Sequence, residues 1–94
     1  MKTLKFECDD RYEAEKLASL LSVQKDNAIW VAGISAIVGN EIVIQLKDRS
    51  SHAVMMKNRE AVAVLSEFLT RVASGRARIH SSNSAGTIAE IVMD

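Results

Sequence analysis

Short segments in which apolar and polar residues alternate recur along the chain, and this period of two is typical of half-buried β-strands. Residues 3–8 alternate without exception, and residues 41–47 repeat the pattern. Residues 28–38 are almost continuously apolar and rich in Ile and Val, which favours a strand over a helix. Six strands are predicted in total, at residues 3–8, 28–38, 41–47, 52–56, 76–80 and 87–93.

Two other segments show the spacing of amphipathic helices. Asp10 is placed to cap the first helix, and Glu13, three residues later, completes the pattern of a capping box. Asn58 is placed to cap the second helix, predicted over residues 59–73, and Gly75 lies where a C-terminal glycine belongs. Each helix has one apolar stripe: Ala14, Leu17, Ala18 and Leu21 in the first, and Val62, Leu65, Leu69 and Val72 in the second.

Polar and turn-forming residues predict the connections. Residues 24–27 and 48–51 form a loop and a turn, and Gly39-Asn40 forms a tight turn between two strands. The serine-rich residues 81–86 are predicted to be the loop of a C-terminal hairpin.

Shifting the chain by 48 positions places Asp10 on Asn58 and Leu17 on Leu65, and aligns the two helices. This match indicates either a structural pseudo-repeat or the likeness that any two capped amphipathic helices share. In both cases two apolar helix faces must cover one sheet face. We therefore predict a single α+β domain over residues 1–94. It is a two-layer sandwich with a mostly antiparallel sheet of four to six strands, two helices on one face, and the order β-α-β-β-β-α-β-β.

Length and charge limit the functions that are plausible. The 94 residues make one domain, and their 12 basic and 12 acidic side chains cancel, so no long-range field attracts nucleic acid or a lipid surface. The first residues lack the apolar core of a signal peptide, and no apolar run approaches the roughly 20 residues that cross a bilayer. The expectation is a cytoplasmic protein that does not bind membranes and for which nucleic acid is a disfavoured partner.

Residues for catalysis or metal binding are few. Cys8 is the one cysteine and lies on the apolar side of its strand, which favours a buried structural thiol over a nucleophile paired with His52 or His80. Two histidines without a third spaced ligand do not define a metal site, and the isolated glycines do not form a phosphate-binding loop. No cofactor, metal or catalytic residue is therefore predicted.

A row of basic residues is the first candidate binding surface. Arg76, Arg78 and His80 alternate along a predicted strand, so they share one face, and Arg71 precedes them in the second helix. Such a row can bind phosphate or carboxylate groups, or dock on an acidic protein surface. Alternatively, it is the solvated outer face of an antiparallel sheet.

Surplus apolar residues on two strands are the second candidate. The strands at residues 28–38 and 87–93 are apolar on both faces, whereas a two-layer domain covers one face. A second copy of the chain would cover the rest with the fewest additional assumptions, so a homodimer is predicted. The candidate interface residues are Trp30, Ile34, Ile88, Ile91 and Val92.

The expected function is that of a non-enzymatic binding module acting by protein–protein contact, as a homodimer and with a protein partner that the sequence does not identify. A small adaptor, an inhibitor or an immunity-type factor, of the kind encoded by phages and mobile elements, fits this description. One alternative is a module that binds a small anionic ligand or nucleic acid through Arg76, Arg78 and His80. Another is a small enzyme whose pocket forms at a dimer interface.

Overall fold

Six strands and two helices follow one another in the order β1-α1-β2-β3-β4-α2-β5-β6. They are seen in a computed structural model that describes residues 1–22 and 30–94. The predicted loop at residues 24–27 lies outside the described residues. The strands are β1 (Lys2–Glu7), β2 (Val31–Val38), β3 (Glu41–Leu46), β4 (Ser51–Met55), β5 (Ile79–Ala85) and β6 (Ile88–Met93), and the helices are α1 (Arg11–Ser22) and α2 (Arg59–Ala73).

The strands form two three-stranded antiparallel sheets, with orders β1-β6-β5 and β2-β3-β4. Helix α1 packs on β5 and β6, and α2 packs mainly on β2, so each sheet carries one helix. The predicted two-layer α+β sandwich is confirmed, with its six strands divided between two sheets.

The sheets connect the two halves of the chain. The first strand of each half pairs with the hairpin of the other half: β1 with β6, and β4 with β3. Where β1 and β4 end, Cys8 and Met56 form an isolated antiparallel bridge. The Asp9 N–H donates to the Met55 carbonyl at 3.0 Å, and the Lys57 N–H donates to the Glu7 carbonyl at 3.1 Å. These two bonds exchange under the 48-residue shift, so a pseudo-two-fold axis passes through this junction.

Other features repeat about the same axis. The Asp10 carboxylate accepts from the Glu13 N–H at 2.9 Å, and the Asn58 side chain accepts from the Ala61 N–H at the same distance. The hairpin turns at Gly39 and Gly86 take φ values of +61° and +60°, as the first residue of a type II′ turn requires. The two halves therefore repeat in structure.

The core is one continuous cluster of apolar side chains from both helices and both sheets. The apolar stripes predicted for α1 and α2 are buried, as are Ile42, Ile44 and Leu46 of β3. Phe6 and Phe68 pack with ring centroids 5.2 Å apart and tie β1 to α2. This shared core makes the two halves one unit.

Two local predictions were wrong. Strand β5 covers Ile79–Ala85, so Arg76 and Arg78 precede it and the serine-rich segment is strand and not loop. The Glu13 carboxylate does not complete a capping box, because it accepts from the Met55 N–H at 3.1 Å and contacts Lys16 Nζ at 2.9 Å. Glu13 therefore joins α1 to β4.

Candidate binding surface

A groove of about 560 Å³ runs between the edge strand β2 and helix α2. Its apolar lining comes from Ile37, Val62 and Ala63, and polar lining comes from Arg59, Ser66 and Glu67. Strand β2 lies at the end of its sheet, so the main chain on its outer side has no strand partner within residues 1–22 and 30–94. The groove and the open strand edge lie side by side.

The end of β2 exposes large apolar side chains. Ile37 is 48% exposed and Val38 is 70% exposed. The strand contains two irregularities of register, one between Val31 and Gly33 and one between Ile34 and Ala36. A bulge bends a strand and increases its twist, and the second of these lies directly before the exposed residues. We attribute the exposure of Ile37 and Val38 to this bend together with their position at the sheet edge.

The equivalent edge strand in the other half, β5, is polar and is held on helix α1 by a side chain. Strand β5 has a counterpart to the first irregularity of β2, between Ile79 and Ser81, but none to the second. From Ser81 to its turn it pairs in regular register. The Ser82 hydroxyl donates to the Ala18 carbonyl at 2.7 Å and holds β5 on α1. The pseudo-symmetry is therefore broken at these two edges.

The outer faces of the two sheets also differ. In the β1-β6-β5 sheet, the middle row is Lys5, Glu90 and Asn83, and Lys5 contacts Glu90 at 3.9 Å. In the β2-β3-β4 sheet, the corresponding row is Ala36, Val43 and Ala53. The half of the molecule that contains β2 is thus the more apolar on its outer sheet face as well.

The four predicted basic residues are all exposed and lie around the connection from α2 to β5. Arg71 is in the last turn of α2, Arg76 and Arg78 are in the connection, and His80 is in β5. The Arg71 carbonyl accepts from the N–H groups of Arg76 and Ala77, at 2.8 Å and 3.2 Å, and so folds the connection back on the helix. Their role in anion binding stays a prediction.

The predicted interface residues lie in three different environments. Trp30 and Ile34 are half-buried and pack against the core. Ile88 and Val92 are half-buried on the outer face of β6, where Val92 lies between Thr3 and Ser81, and Ile88 lies between Glu7 and Ala85. Ile91 is 0% exposed, so its assignment to an interface was wrong: its side chain faces the core.

Ile37 and Val38 were not selected from the sequence. They are the last two residues of the apolar run that ends at the Gly39-Asn40 turn. A signal was available, because the run is long, uncharged and ends at a hairpin turn. The exposure of Ile37 and Val38 depends on β2 being an edge strand, and β2 is an edge strand because the two halves of the chain pair with each other through other strands.

The Cys8 side chain is buried where the two halves meet. Its Sγ lies 3.9 Å from the Phe6 carbonyl oxygen and 4.0 Å from Met56 Sδ. Burial, with a smaller effect from the nearby carboxylates of Glu13 and Asp10, raises the pKa of Cys8 to about 11. The thiol is therefore neutral at physiological pH.

Within residues 1–22 and 30–94, no three His, Cys, Asp or Glu side chains are grouped to hold a metal ion. In the same residues, neither helix has the length and apolarity needed to span a bilayer. Comparison with protein families, with curated proteins and with solved structures finds no match to this chain.

Proposed function

We propose that this chain is a non-enzymatic binding module that acts by protein–protein contact and forms a homodimer. The observation that carries the proposal is the coincidence of an open strand edge, two exposed apolar residues and a groove on one side of the molecule. Ile37 and Val38 lie on the edge, and Ile37 also lines the groove.

The composition of this surface supports a protein partner. Interfaces have an apolar centre and a polar rim. Here Ile37, Val62 and Ala63 supply the apolar part, and Arg59 and Glu67 supply charges beside it. Exposed apolar side chains that are clustered, and not scattered, indicate a surface that becomes covered.

The basic residues support anion binding less strongly. Arg71 lies in the last turn of α2, where a positive charge offsets the negative end of the helix dipole, so its position has a structural explanation. Arg76 and Arg78 lie outside the strand that was expected to align them with His80. We therefore favour protein contact over anion or nucleic-acid binding. A small enzyme with a pocket at a dimer interface is the remaining alternative. A role as an adaptor, an inhibitor or an immunity-type factor is compatible with this proposal.

Sedimentation velocity from about 1 µM to 1 mM tests the proposed self-association. We expect the mass to rise from that of the 10.3 kDa monomer towards twice that value as the concentration increases. Dilution then returns the monomer, because association follows mass action. A monomer throughout this range would refute the homodimer.

A further inference from the structure

We propose that two copies of this chain associate about a two-fold axis by antiparallel pairing of their β2 edges, with their α2 helices side by side. This inference rests on the proposed homodimer and specifies its surface. The axis passes beside Ile37 in the strand and Ala63 in the helix, which line the same groove.

The sequence of β2 lacks the charged residues and prolines that protect many edge strands, and its bulges lie before the segment 36–38. Its eight residues, VAGISAIV, contain neither a charge nor a proline. Natural edge strands are commonly protected from pairing by lysine, proline, bulges or short length. Three other strands also end a sheet. Strand β5 has the polar sequence IHSSNSA, β1 has two lysines in KTLKFE, and β4 is only five residues long and is joined to the end of β1 by the Cys8–Met56 bridge. Of the four edges, β2 is therefore the one best suited to being covered.

The bulge near Ser35 sets the length of the pairing segment. It leaves Ala36, Ile37 and Val38 in regular register before the turn. A segment this short forms few hydrogen bonds, so strand pairing alone would be weak. The adjoining helix face has to supply the remainder of the contact.

The hairpin fixes the direction of the main-chain groups of Ile37. Val38 pairs with Glu41 across a two-residue turn, which makes them a hydrogen-bonded pair. Ile37 and Ile42 are then a non-hydrogen-bonded pair, so the Ile37 N–H and carbonyl point away from β3 towards the open edge. Two copies related by a two-fold axis at Ile37 would exchange two hydrogen bonds.

The groove-facing side of α2 has a matching self-complementary pattern. Arg59, Ala63 and Glu67 are spaced four residues apart and therefore lie on one face of the helix. An antiparallel helix pair centred on Ala63 places Arg59 of each copy opposite Glu67 of the other. The small side chain of Ala63 allows the helices to approach closely at the axis.

These charges identify the occupant as a second copy. Neither Arg59 nor Glu67 is in an ion pair within the described part of the chain. An isologous contact uses each surface twice, so one Arg59–Glu67 match becomes two reciprocal pairs. The uncharged β2 edge brings no like charges together when it pairs with itself.

The first test is Ile37→Lys, with Ala85→Lys as its matched control. Ala85 is the exposed last residue of the edge strand β5, directly before the Gly86 turn. Lysines opposed at the two-fold axis repel, so Ile37→Lys should raise the dimer dissociation constant at least about a hundredfold. Ala85→Lys should change it by less than about threefold. Circular dichroism and thermal melting verify that both variants fold.

The second test exchanges the charges on α2. Arg59→Glu and Glu67→Arg should each weaken the dimer about tenfold, because each creates two like-charge contacts. The double variant restores opposite charges and should return the dissociation constant to within about threefold of the original.

The outcomes separate the two proposals. A wild-type chain that stays monomeric refutes the homodimer itself. A dimer that tolerates Ile37→Lys overturns the β2 interface but leaves the homodimer in place. If Ile37→Lys loses the dimer but the double variant of Arg59 and Glu67 does not recover the original dissociation constant, the reciprocal helix arrangement is overturned and the β2 pairing stands. An Ile37→Lys variant that remains a dimer but loses binding to a different protein would assign the β2 edge to that protein.

Discussion

The Cys8 thiol is 1% exposed and lies beside Met56 at the pseudo-two-fold junction. The raised pKa follows mainly from burial, since an ionised thiolate would lose its hydration there. In the unfolded chain the same thiol is hydrated and ionises at a lower pH. The free energy of unfolding must therefore depend on pH through this residue.

We predict that stability falls between about pH 9 and pH 11. Below the unfolded pKa, near 9.0, both states keep the proton and the Cys8 contribution is complete; it is lost as the pH rises towards the folded pKa of about 11. A difference of two pKa units corresponds to about 2–3 kcal/mol. Urea unfolding measured across this range gives the change.

Cys8→Ala is the control, because it removes the thiol and leaves the other groups that titrate at high pH. Its free energy of unfolding should be lower than that of the wild type at pH 8, owing to the lost packing, but should fall less steeply above pH 9. Equal pH slopes in the two proteins would contradict a thiol that is buried and protonated.

Several residues were predictable because their roles depend on neighbours close in sequence. Asp10 and Asn58 cap their helices as expected, since a cap requires only the next three residues. The inward position of Cys8 followed from simple alternation. The contact of Glu13 with Met55 did not, because those residues are 42 positions apart in the chain.

At the scale of the elements, helix α1 is attached to both sheets by side chains. Glu13 accepts the N–H of Met55 in β4, and Ser82 of β5 donates to the Ala18 carbonyl. These bonds position α1 between the strand that follows the first hairpin and the edge of the other sheet. We expect the helix to depend on them more than on its exposed ion pairs.

Glu13→Ala should lower the free energy of unfolding by about 1–3 kcal/mol, because it leaves the partly buried Met55 N–H without its partner. Glu13→Gln keeps an oxygen acceptor and should cost less. Urea unfolding at constant m-value measures both.

Glu15→Ala is the matched control on the same helix. Its carboxylate contacts Arg11 at 3.1 Å on the exposed side, so its loss should change stability by less than about 0.5 kcal/mol. If Glu15→Ala were as damaging as Glu13→Ala, the loss of a carboxylate from α1 in general, and not the link to β4, would explain both.

Strand β5 shows where local sequence rules fail for an element. Serine and asparagine have low strand propensity, so residues 81–86 suggested a loop. Pairing with the apolar β6 and the Ser82 bond to α1 override that preference. The sequence did contain a signal for the hairpin turn, because Gly86 lies 47 residues after Gly39, which is the glycine of the other turn. The shift of 48 that aligns the helices does not align these two glycines.

The same limit applies to the candidate surface. Residues 28–38 were expected to be a strand with two apolar faces, and the described part of this segment contains Ile37 and Val38. Which residues stay exposed depends on the bulge at Ser35 and on the position of β2 at the sheet edge. Both arise from pairing and packing, which a single periodic pattern does not encode.

At the scale of the whole molecule, the junction between the chain ends matches the β3–β4 turn. Lys2 pairs with Met93, so the first and last strands are adjacent and antiparallel, as β3 and β4 are. The pseudo-two-fold axis therefore relates the chain ends to the turn at residues 47–50. Joining the two chain ends and cutting the turn at residues 47–50 should therefore preserve the topology.

A circular permutant that begins at Arg49, ends at Asp48 and joins Asp94 to Met1 through two glycines should fold. Chain ends at surface turns are well tolerated, so we expect the same far-ultraviolet circular dichroism spectrum and a loss of less than about 2 kcal/mol in unfolding free energy. Chemical denaturation measures the loss.

A permutant opened between Ile44 and Gln45, in the central strand β3, provides the contrast. That cut interrupts the ladders to both β2 and β4, so this chain should be unfolded or strongly destabilised. Equal stability of the two permutants would contradict the described sheet order.

The exchange of strands between the halves also has a consequence for synthesis of the domain. Of the eight elements, β1 leaves the ribosome first and its ladder partner β6 leaves last. The nascent polypeptide therefore cannot close this sheet during elongation, and its apolar side chains remain accessible to chaperones and proteases until β6 emerges. A chain that stopped before β6 would leave β1 without its ladder partner, so this sheet forms only after all eight elements have been synthesised.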